Sequence, residues 1–121
     1  MTSSVTGVYG RGIYVDEKEN TIFFDNDDMN LKVEEKVIEQ LKSKMFNRIG
    51  VGYKKMYLGT ILDDIANNFQ APKILDLDLF NPHEDLQENE ASVRKIFSNW
   101  KDKEVEVLFR LNKTVLRTFK L

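Results

Sequence analysis

The sequence contains no cysteine and a single histidine among its 121 residues. Without cysteine the chain cannot form a disulfide, a thiolate metal site or a thiol nucleophile, which is typical of proteins in reducing compartments. His83 lies in the segment NPHED (81–85), a typical helix start with proline at the first helical position and acids in the first turn. We therefore interpret it as an exposed helix residue, and we expect no metal ion and no cofactor.

Long apolar runs are also absent, since none approaches the roughly 20 residues of a membrane span. The first residues, MTSSVTG, lack the basic start and apolar core of a signal peptide. We expect a cytoplasmic or nuclear protein that is neither secreted nor bound to a membrane. With 41% apolar and 31% charged residues, the chain has the composition of one globular domain spanning residues 1–121.

Two segments have the residue types of known ligand loops but not their spacing. The glycines of GVYGRG (7–12) do not match the dinucleotide pattern, and the next residues along the chain predict a strand rather than a helix. The acidic segment DNDDMN (25–30) has no glycine at the sixth position and no glutamate at the twelfth, both of which a calcium loop of this type requires. Neither the dinucleotide-binding nor the calcium-binding interpretation is therefore favoured.

The first elements that the pattern predicts are two strands, at residues 8–15 and 21–25, joined by the polar turn DEKEN. A register that places Val15 opposite Ile22 builds one continuous apolar face. The same register places Tyr14 opposite Phe23 on the other face. Because residues two apart share a face of a strand, Gly10 and Gly12 would lie on the side of Tyr14 and leave that side flat.

Amphipathic periodicity predicts three helices after this hairpin. The first runs from the acidic segment to about residue 48, ended by Gly50 and Gly52; the second covers about 58–69; the third covers 81–100. An alternating strand at 73–80 and a final hairpin at 104–111 and 114–121 complete the chain. The predicted order is ββ-α-α-β-α-ββ, which favours an α+β two-layer sandwich with a mainly antiparallel sheet covered by helices.

Candidate catalytic groups are few. The carboxylate pair Asp63/Asp64 is predicted beside a helical apolar stripe, and the pair Asp76/Asp78 is predicted on the solvent side of a strand. No serine lies in the GxSxG sequence that marks a nucleophilic serine. We therefore expect a protein that is not an enzyme, with an unrecognised carboxylate site as the third-ranked alternative.

The first hairpin carries large apolar groups on both faces, so its second face is covered either by helices or by a partner. Tyrosine and phenylalanine with the nearby Arg11 are typical of interface cores and hot spots. The leading hypothesis is a small binding module acting through protein contact or self-association as a homodimer: an adaptor, an assembly subunit, or an inhibitor such as an immunity protein or a viral counter-defence protein. The candidate partner-binding residues are Val8, Gly10, Gly12, Tyr14 and Phe23.

Charge is segregated along the chain although its net value is only −2. Residues 40–55 and 91–121 are basic and interleaved with aromatics, whereas residues 16–39 and 56–90 are acidic. Basic and aromatic residues together suit phosphates and bases, so the second hypothesis is a protein that binds nucleic acid or a phosphorylated ligand through bands 42–55 and 91–121. The bases assigned to it are Lys42, Lys44, Arg48, Lys54, Lys55, Arg110, Lys113 and Arg117.

Overall fold

A computed structural model describes residues 7–8, 12–26, 34–53, 60–78 and 85–121, and the fold is that of these residues. The strands are β1 (Gly7–Val8), β2 (Ile13–Asp16), β3 (Thr21–Asn26), β4 (Arg48–Tyr53), β5 (Ile74–Asp78), β6 (Glu106–Leu111) and β7 (Thr114–Lys120). The helices are α1 (Glu35–Leu41), α2 (Thr60–Asn68) and α3 (Leu86–Ile96), the last followed by a 3-10 turn at Ser98–Trp100.

All seven described strands lie in one sheet, and their order across the sheet is their order along the chain. The pairings from β3 to β6 are parallel, whereas β1–β2, β2–β3 and β6–β7 are antiparallel. The predicted α+β class, with helices covering a sheet, is confirmed. The sheet is mixed, and it contains two separate strands, β1 and β4, that the sequence pattern did not predict.

The sequential strand order explains why the helices cover one face of the sheet. Each of α1, α2 and α3 connects a parallel strand to the next one, and every connection advances in the same direction across the sheet. Because such crossovers are right-handed, helices that advance in one direction all lie on the same side. That side buries the apolar strand residues Ile13, Val15, Ile22, Phe24, Ile49, Val51, Leu75, Leu77, Val107 and Phe109.

The predicted extent of the first helix was wrong. The helix ends at Leu41 and not near residue 48, and residues 48–53, which were predicted to hold the helix end and its terminating glycines, form β4. Ile49 and Val51 are fully buried under the helices, while Gly50 and Gly52 alternate with them on the opposite face. The two glycines are therefore strand residues, and their missing side chains hid the period-two pattern of β4.

The prediction of one strand at 8–15 was also wrong, because the chain reverses direction between Val8 and Ile13. Gly12 lies in this reversal with φ +76°, and a Cβ there would come within 2.7 Å of the carbonyl oxygen of Asp25. The backbone oxygen of Gly12 accepts a hydrogen bond of 2.7 Å from the Asp25 N–H. Gly12 is thus required by a tight turn and does not flatten a strand, while Gly10 lies outside the described residues.

Other local predictions had mixed outcomes. The β2–β3 register is confirmed, with Val15 opposite Ile22 and Tyr14 opposite Phe23. The final hairpin is confirmed with its two-residue turn. The third helix begins later than predicted, because Asp85 caps it by accepting hydrogen bonds from the N–H groups of Gln87 and Glu88.

Candidate functional site

The candidate site is the face of the sheet opposite the helices, which we call the bare face. None of the three described helices covers it. Strand register aligns one row of residues across this face: Tyr14, Phe23, Gly50, Asp76, Leu108 and Thr118. Val8 takes the register position next to Tyr14 and continues the row onto β1. The row is aromatic at β2 and β3 and polar at β5, with glycine between.

Two aromatic rings dominate the β2–β3 end of the row. Tyr14 and Phe23 are direct cross-strand partners, and their side chains are 36% and 37% exposed. A Cβ on Gly50 would come within 2.9 Å of Cδ1 of Phe23, so the ring lies against the backbone of β4 where a side chain is missing. Glycine at position 50 therefore sets the position of this ring. We call Tyr14 and Phe23 the aromatic patch.

A carboxylate clamped by two arginines occupies the middle of the bare face. Both carboxylate oxygens of Asp76 bind Arg110, through Nε at 2.9 Å and Nη2 at 3.1 Å. Arg48 reaches the same carboxylate from β4, with Nε at 3.1 Å from Oδ2 and Nη2 also bound to it. Asp76 is only 4% exposed although no described helix covers it, because the two guanidinium groups do. The expectation that Asp76 faces solvent was therefore wrong.

The Arg48–Asp76–Arg110 cluster is extended and electrically balanced by a second carboxylate. Asp78 lies 3.8 Å from Nη2 of Arg110 and accepts a hydrogen bond of 2.9 Å from the backbone N–H of Asn112. Nη1 of Arg110 donates to the Asn112 carbonyl oxygen, so all three nitrogens of this guanidinium are engaged. Hydrogen bonding to Asp76 raises the pKa of Arg110 above its ordinary value. Two acids thus balance two bases, with Arg110 held rigidly.

The bases assigned to anion binding do not assemble into one free patch in the described part of the chain. Arg48 and Arg110 meet, but at a shared carboxylate. Arg117 lies on the helix side, where its Nε donates to Glu90 at 2.7 Å. The remaining bases are dispersed: Lys42 pairs with Glu39 at 3.0 Å, Lys44 pairs with Glu17 at 3.6 Å, Lys113 is exposed in the β6–β7 turn, and Lys54 and Lys55 lie outside the described residues.

The other chemistry-bearing groups are also scattered. Among the described residues, no cluster of three or more histidine, aspartate or glutamate side chains could hold a metal ion. A cleft of about 610 Å³ lies at the amino ends of β4, β5 and β6, where Phe46 and Pro72 meet Lys73 and Glu106. Its described lining mixes both charge signs. His83 lies outside the described residues.

The sequence pattern indicated Asp76 only as one half of a carboxylate pair and Gly50 only as a helix end, and it showed neither as part of this face. Both are recognisable only once β4 is known to lie between β3 and β5, because their partners are distant in the chain. The alternation of Asp76 with Leu75 and Leu77 was the one available signal, and it placed the carboxylate on the correct face.

No protein family, no curated protein and no solved structure matches this chain. Within the described residues, no helix has both the length and the apolar character to cross a bilayer.

Proposed function

We propose that the protein is a non-enzymatic binding module whose bare face binds another protein, with the aromatic patch as its anchor. The observation that carries the proposal is the pair of opposed rings, Tyr14 and Phe23, each more than one-third exposed on a sheet face without a described helix. Exposed contiguous apolar groups with polar surroundings are typical of interaction sites. Tyrosine and other aromatic rings contribute much of the binding energy of such sites.

The arginine–aspartate cluster supports the same proposal from the polar side of the face. Interfaces combine an apolar centre with polar groups that fix orientation, and arginine is enriched in their energetically important positions. Arg48 is 41% exposed, and its Nε and Nη2 are held by Asp76 while Nη1 has no hydrogen bond among the described residues. Its guanidinium is therefore already oriented before a partner arrives, which lowers the entropy cost of binding.

The architecture also supports a binding role, by analogy. Stacked βα units that cross over on one side leave the other sheet face open, and proteins built from such stacks bind partners on their extended open surfaces. An adaptor, an assembly subunit and an inhibitor, such as an immunity or viral counter-defence protein, all act in this way, by occupying a partner's surface.

The test is site-resolved crosslinking in the native host. A photo-crosslinking amino acid at position 14 should yield a discrete adduct with one protein, while the same group at Met45, which is 66% exposed elsewhere, should not. The pair Tyr14→Ser and Phe23→Ser should then reduce affinity for the identified protein by about 1,000-fold, since hot-spot truncations cost roughly 2 kcal/mol each and every 1.4 kcal/mol is about tenfold. Met45→Ser should leave it unchanged.

Two results would overturn the proposal. One is equal crosslinking from positions 14 and 45. The other is a folded double variant, with unchanged circular dichroism and urea midpoint, that binds the partner as the parent does. If the double variant unfolds, Leu108→Ser and Arg48→Ala probe the same face from outside the aromatic patch.

Nucleic-acid binding has less support, because five of the eight assigned bases are ion-paired in the structure. It predicts retention on immobilised heparin that weakens steeply with salt and is lost in Lys54→Glu and Lys55→Glu. Absence of retention at low salt would exclude it.

A further inference from the structure

The two outer strands of the sheet differ greatly in length. In the described chain, β1 at one edge has two residues, whereas β7 at the other edge has seven and pairs only with β6. A long edge strand presents a row of unpaired backbone donors and acceptors, which is a template for pairing with another strand. We call the outward side of β7 the free edge.

The register identifies which groups form the free edge. The Leu121 N–H donates to the carbonyl oxygen of Val105 at 3.0 Å, so these residues form a hydrogen-bonded pair of the antiparallel ladder. Hydrogen-bonded pairs alternate with non-hydrogen-bonded pairs along an antiparallel ladder, so Thr118 and Lys120 belong to non-hydrogen-bonded pairs with β6. The backbone N–H and C=O groups of these two residues therefore point away from β6. In agreement, the Lys120 carbonyl oxygen accepts a hydrogen bond of 2.9 Å from Nη1 of Arg94, which reaches it from α3.

Among the described residues, two of the usual protections of an edge strand, an irregular register and a covering side chain, lie towards the ends of β7. An irregularity in the β6–β7 register falls at Phe109/Arg110, opposite Val115 and Leu116, and the Arg94 contact covers one lone pair of the Lys120 carbonyl. Between these ends the strand contains no proline. Val115 and Leu116 are apolar and exposed, at 48% and 39%.

We propose that β7 pairs in an antiparallel manner with β7 of a second copy of this chain, with the two-fold axis at Thr118. Thr118 then lies opposite the partner's Thr118, and Leu116 lies opposite the partner's Lys120. Arg117, which Glu90 holds in each copy, lies opposite the partner's Phe119, and Arg94 already lies over the Phe119 ring at 4.8 Å from its centroid. No like charges are directly opposed in this register.

Neighbouring registers are less favourable. Moving the axis one residue towards the amino end places Arg117 directly opposite the partner's Arg117, and opposed like charges destabilise a strand pair. Moving it one residue the other way removes Leu116 from the ladder. Of these three registers, the one centred on Thr118 opposes no like charges and keeps Leu116 in the ladder, so the free edge can pair with a second copy of itself.

The dimer has a defined geometry. A two-fold axis perpendicular to the sheet keeps the bare faces of both copies on the same side, so fourteen described strands form one sheet. Two aromatic patches then lie on a common surface at its far ends. This pairing does not depend on the proposed function, because it uses the edge of the sheet and not its bare face.

The experiment is sedimentation equilibrium of the whole chain from about 1 to 200 μM, a range that covers dimers with a small interface. We expect a monomer–dimer equilibrium for the parent. Thr118→Pro removes an N–H that points away from β6, so the monomer loses no ladder bond while the dimer cannot form its central pair. Thr118→Lys places two ammonium groups in opposition at the axis. Each substitution should raise the dimer dissociation constant by about tenfold or more.

The matched control is Thr114→Lys, which adds the same charge to an exposed position of β7 outside the proposed pairing. It should dimerise like the parent. A parent that is monomeric throughout overturns the proposal, and so does a folded Thr118→Pro or Thr118→Lys variant that dimerises normally. Loss of the dimer in Tyr14→Ser with Phe23→Ser, but not in the Thr118 variants, would place the second copy on the bare face and also overturn it. If Thr118→Pro unfolds, Thr118→Lys decides.

Discussion

Replacing Asp76 by asparagine removes the one negative charge that Arg48 and Arg110 share while keeping the size of the side chain. The carboxylate is 4% exposed and accepts four hydrogen bonds from the two guanidinium groups. Removing one member of a buried ion pair costs roughly 3–5 kcal/mol. Here the arginines are 41% and 24% exposed, so solvent screens the charges that remain and lowers the cost.

The expected loss in the free energy of unfolding is therefore about 2 kcal/mol, which is the contribution of a hydrogen bond to a charged group. For a domain of this length the midpoint of thermal unfolding should fall by roughly 6–12 °C. Urea unfolding followed by the fluorescence of Trp100, the single tryptophan and a buried one, measures the free energy directly. Asp63→Asn, at an exposed position of α2, is the control and should change it by less than about 0.5 kcal/mol.

Double-mutant cycles sharpen this prediction. Arg110 binds both oxygens of Asp76 and is the less exposed base, whereas Arg48 binds one oxygen. The coupling energy of Arg110 with Asp76 should exceed that of Arg48 with Asp76. A loss below about 0.5 kcal/mol in Asp76→Asn, or a larger coupling for Arg48, would refute the reasoning that the cluster is a buried, bidentate anchor.

Three further substitutions test the surrounding structure. Gly12→Ala should lower the free energy of unfolding by at least about 1–2 kcal/mol, because φ is +76° and the new Cβ would meet a main-chain oxygen of β3; an unchanged urea midpoint would contradict this. Hydrogen bonds from Arg117 and then from Arg94 lower the pKa of Glu90 below its ordinary 4.5. The stabilisation from the Glu90 carboxylate is therefore fully present above 4.5 and is lost as the pH falls through the lower pKa of the folded state. Glu90→Gln should accordingly have a lower free energy of unfolding than the parent at pH 7, and urea unfolding should show this difference shrinking as the pH falls below 4.5. Asn89 is buried, and its Nδ2 has no hydrogen-bond partner among the described residues, so Asn89→Leu should raise the free energy of unfolding by about 1 kcal/mol; a loss instead would show that the amide is satisfied.

The sequence predicted those parts of the fold that depend on neighbouring residues. The register of β2 with β3 followed from the alternation of Ile13 and Val15 with Ile22 and Phe24, because only one pairing builds a continuous apolar face. The final hairpin was predicted for the same reason. Such patterns contain both partners of the contact within a short segment, so no knowledge of strand order is needed.

β4 could not be predicted in this way. Its inward residues Ile49 and Val51 are separated by glycines, and glycine after an apolar helical stripe also indicates a helix end. Tertiary structure decides between a strand and a helix end here, because the Phe23 ring on β3 packs against the backbone of Gly50, where a side chain would not fit.

The candidate site was only half predicted. Tyr14 and Phe23 were proposed as a pair from local register, and the structure places them together on the bare face. The arginine–aspartate cluster joins three strands through contacts of 28 and 34 residues in sequence separation. The charge pattern contained all three residues, but without strand order Asp76 had many equally acceptable partners.

The sequential strand order has a further consequence for how the chain folds. Every described strand pairs only with its neighbours in the sequence, so no pairing must wait for a distant segment to arrive. Each parallel connection contains only one helix, so the loop closed at each step is shorter than one that pairs strands distant in the chain, and its entropy cost is lower. Folding rates rise as contacts become more local, and in sheets that grow unit by unit a structured region can extend from one strand to the next. We therefore expect this sheet to fold faster than a doubly wound sheet of equal length, in which the chain must cross back over strands already formed.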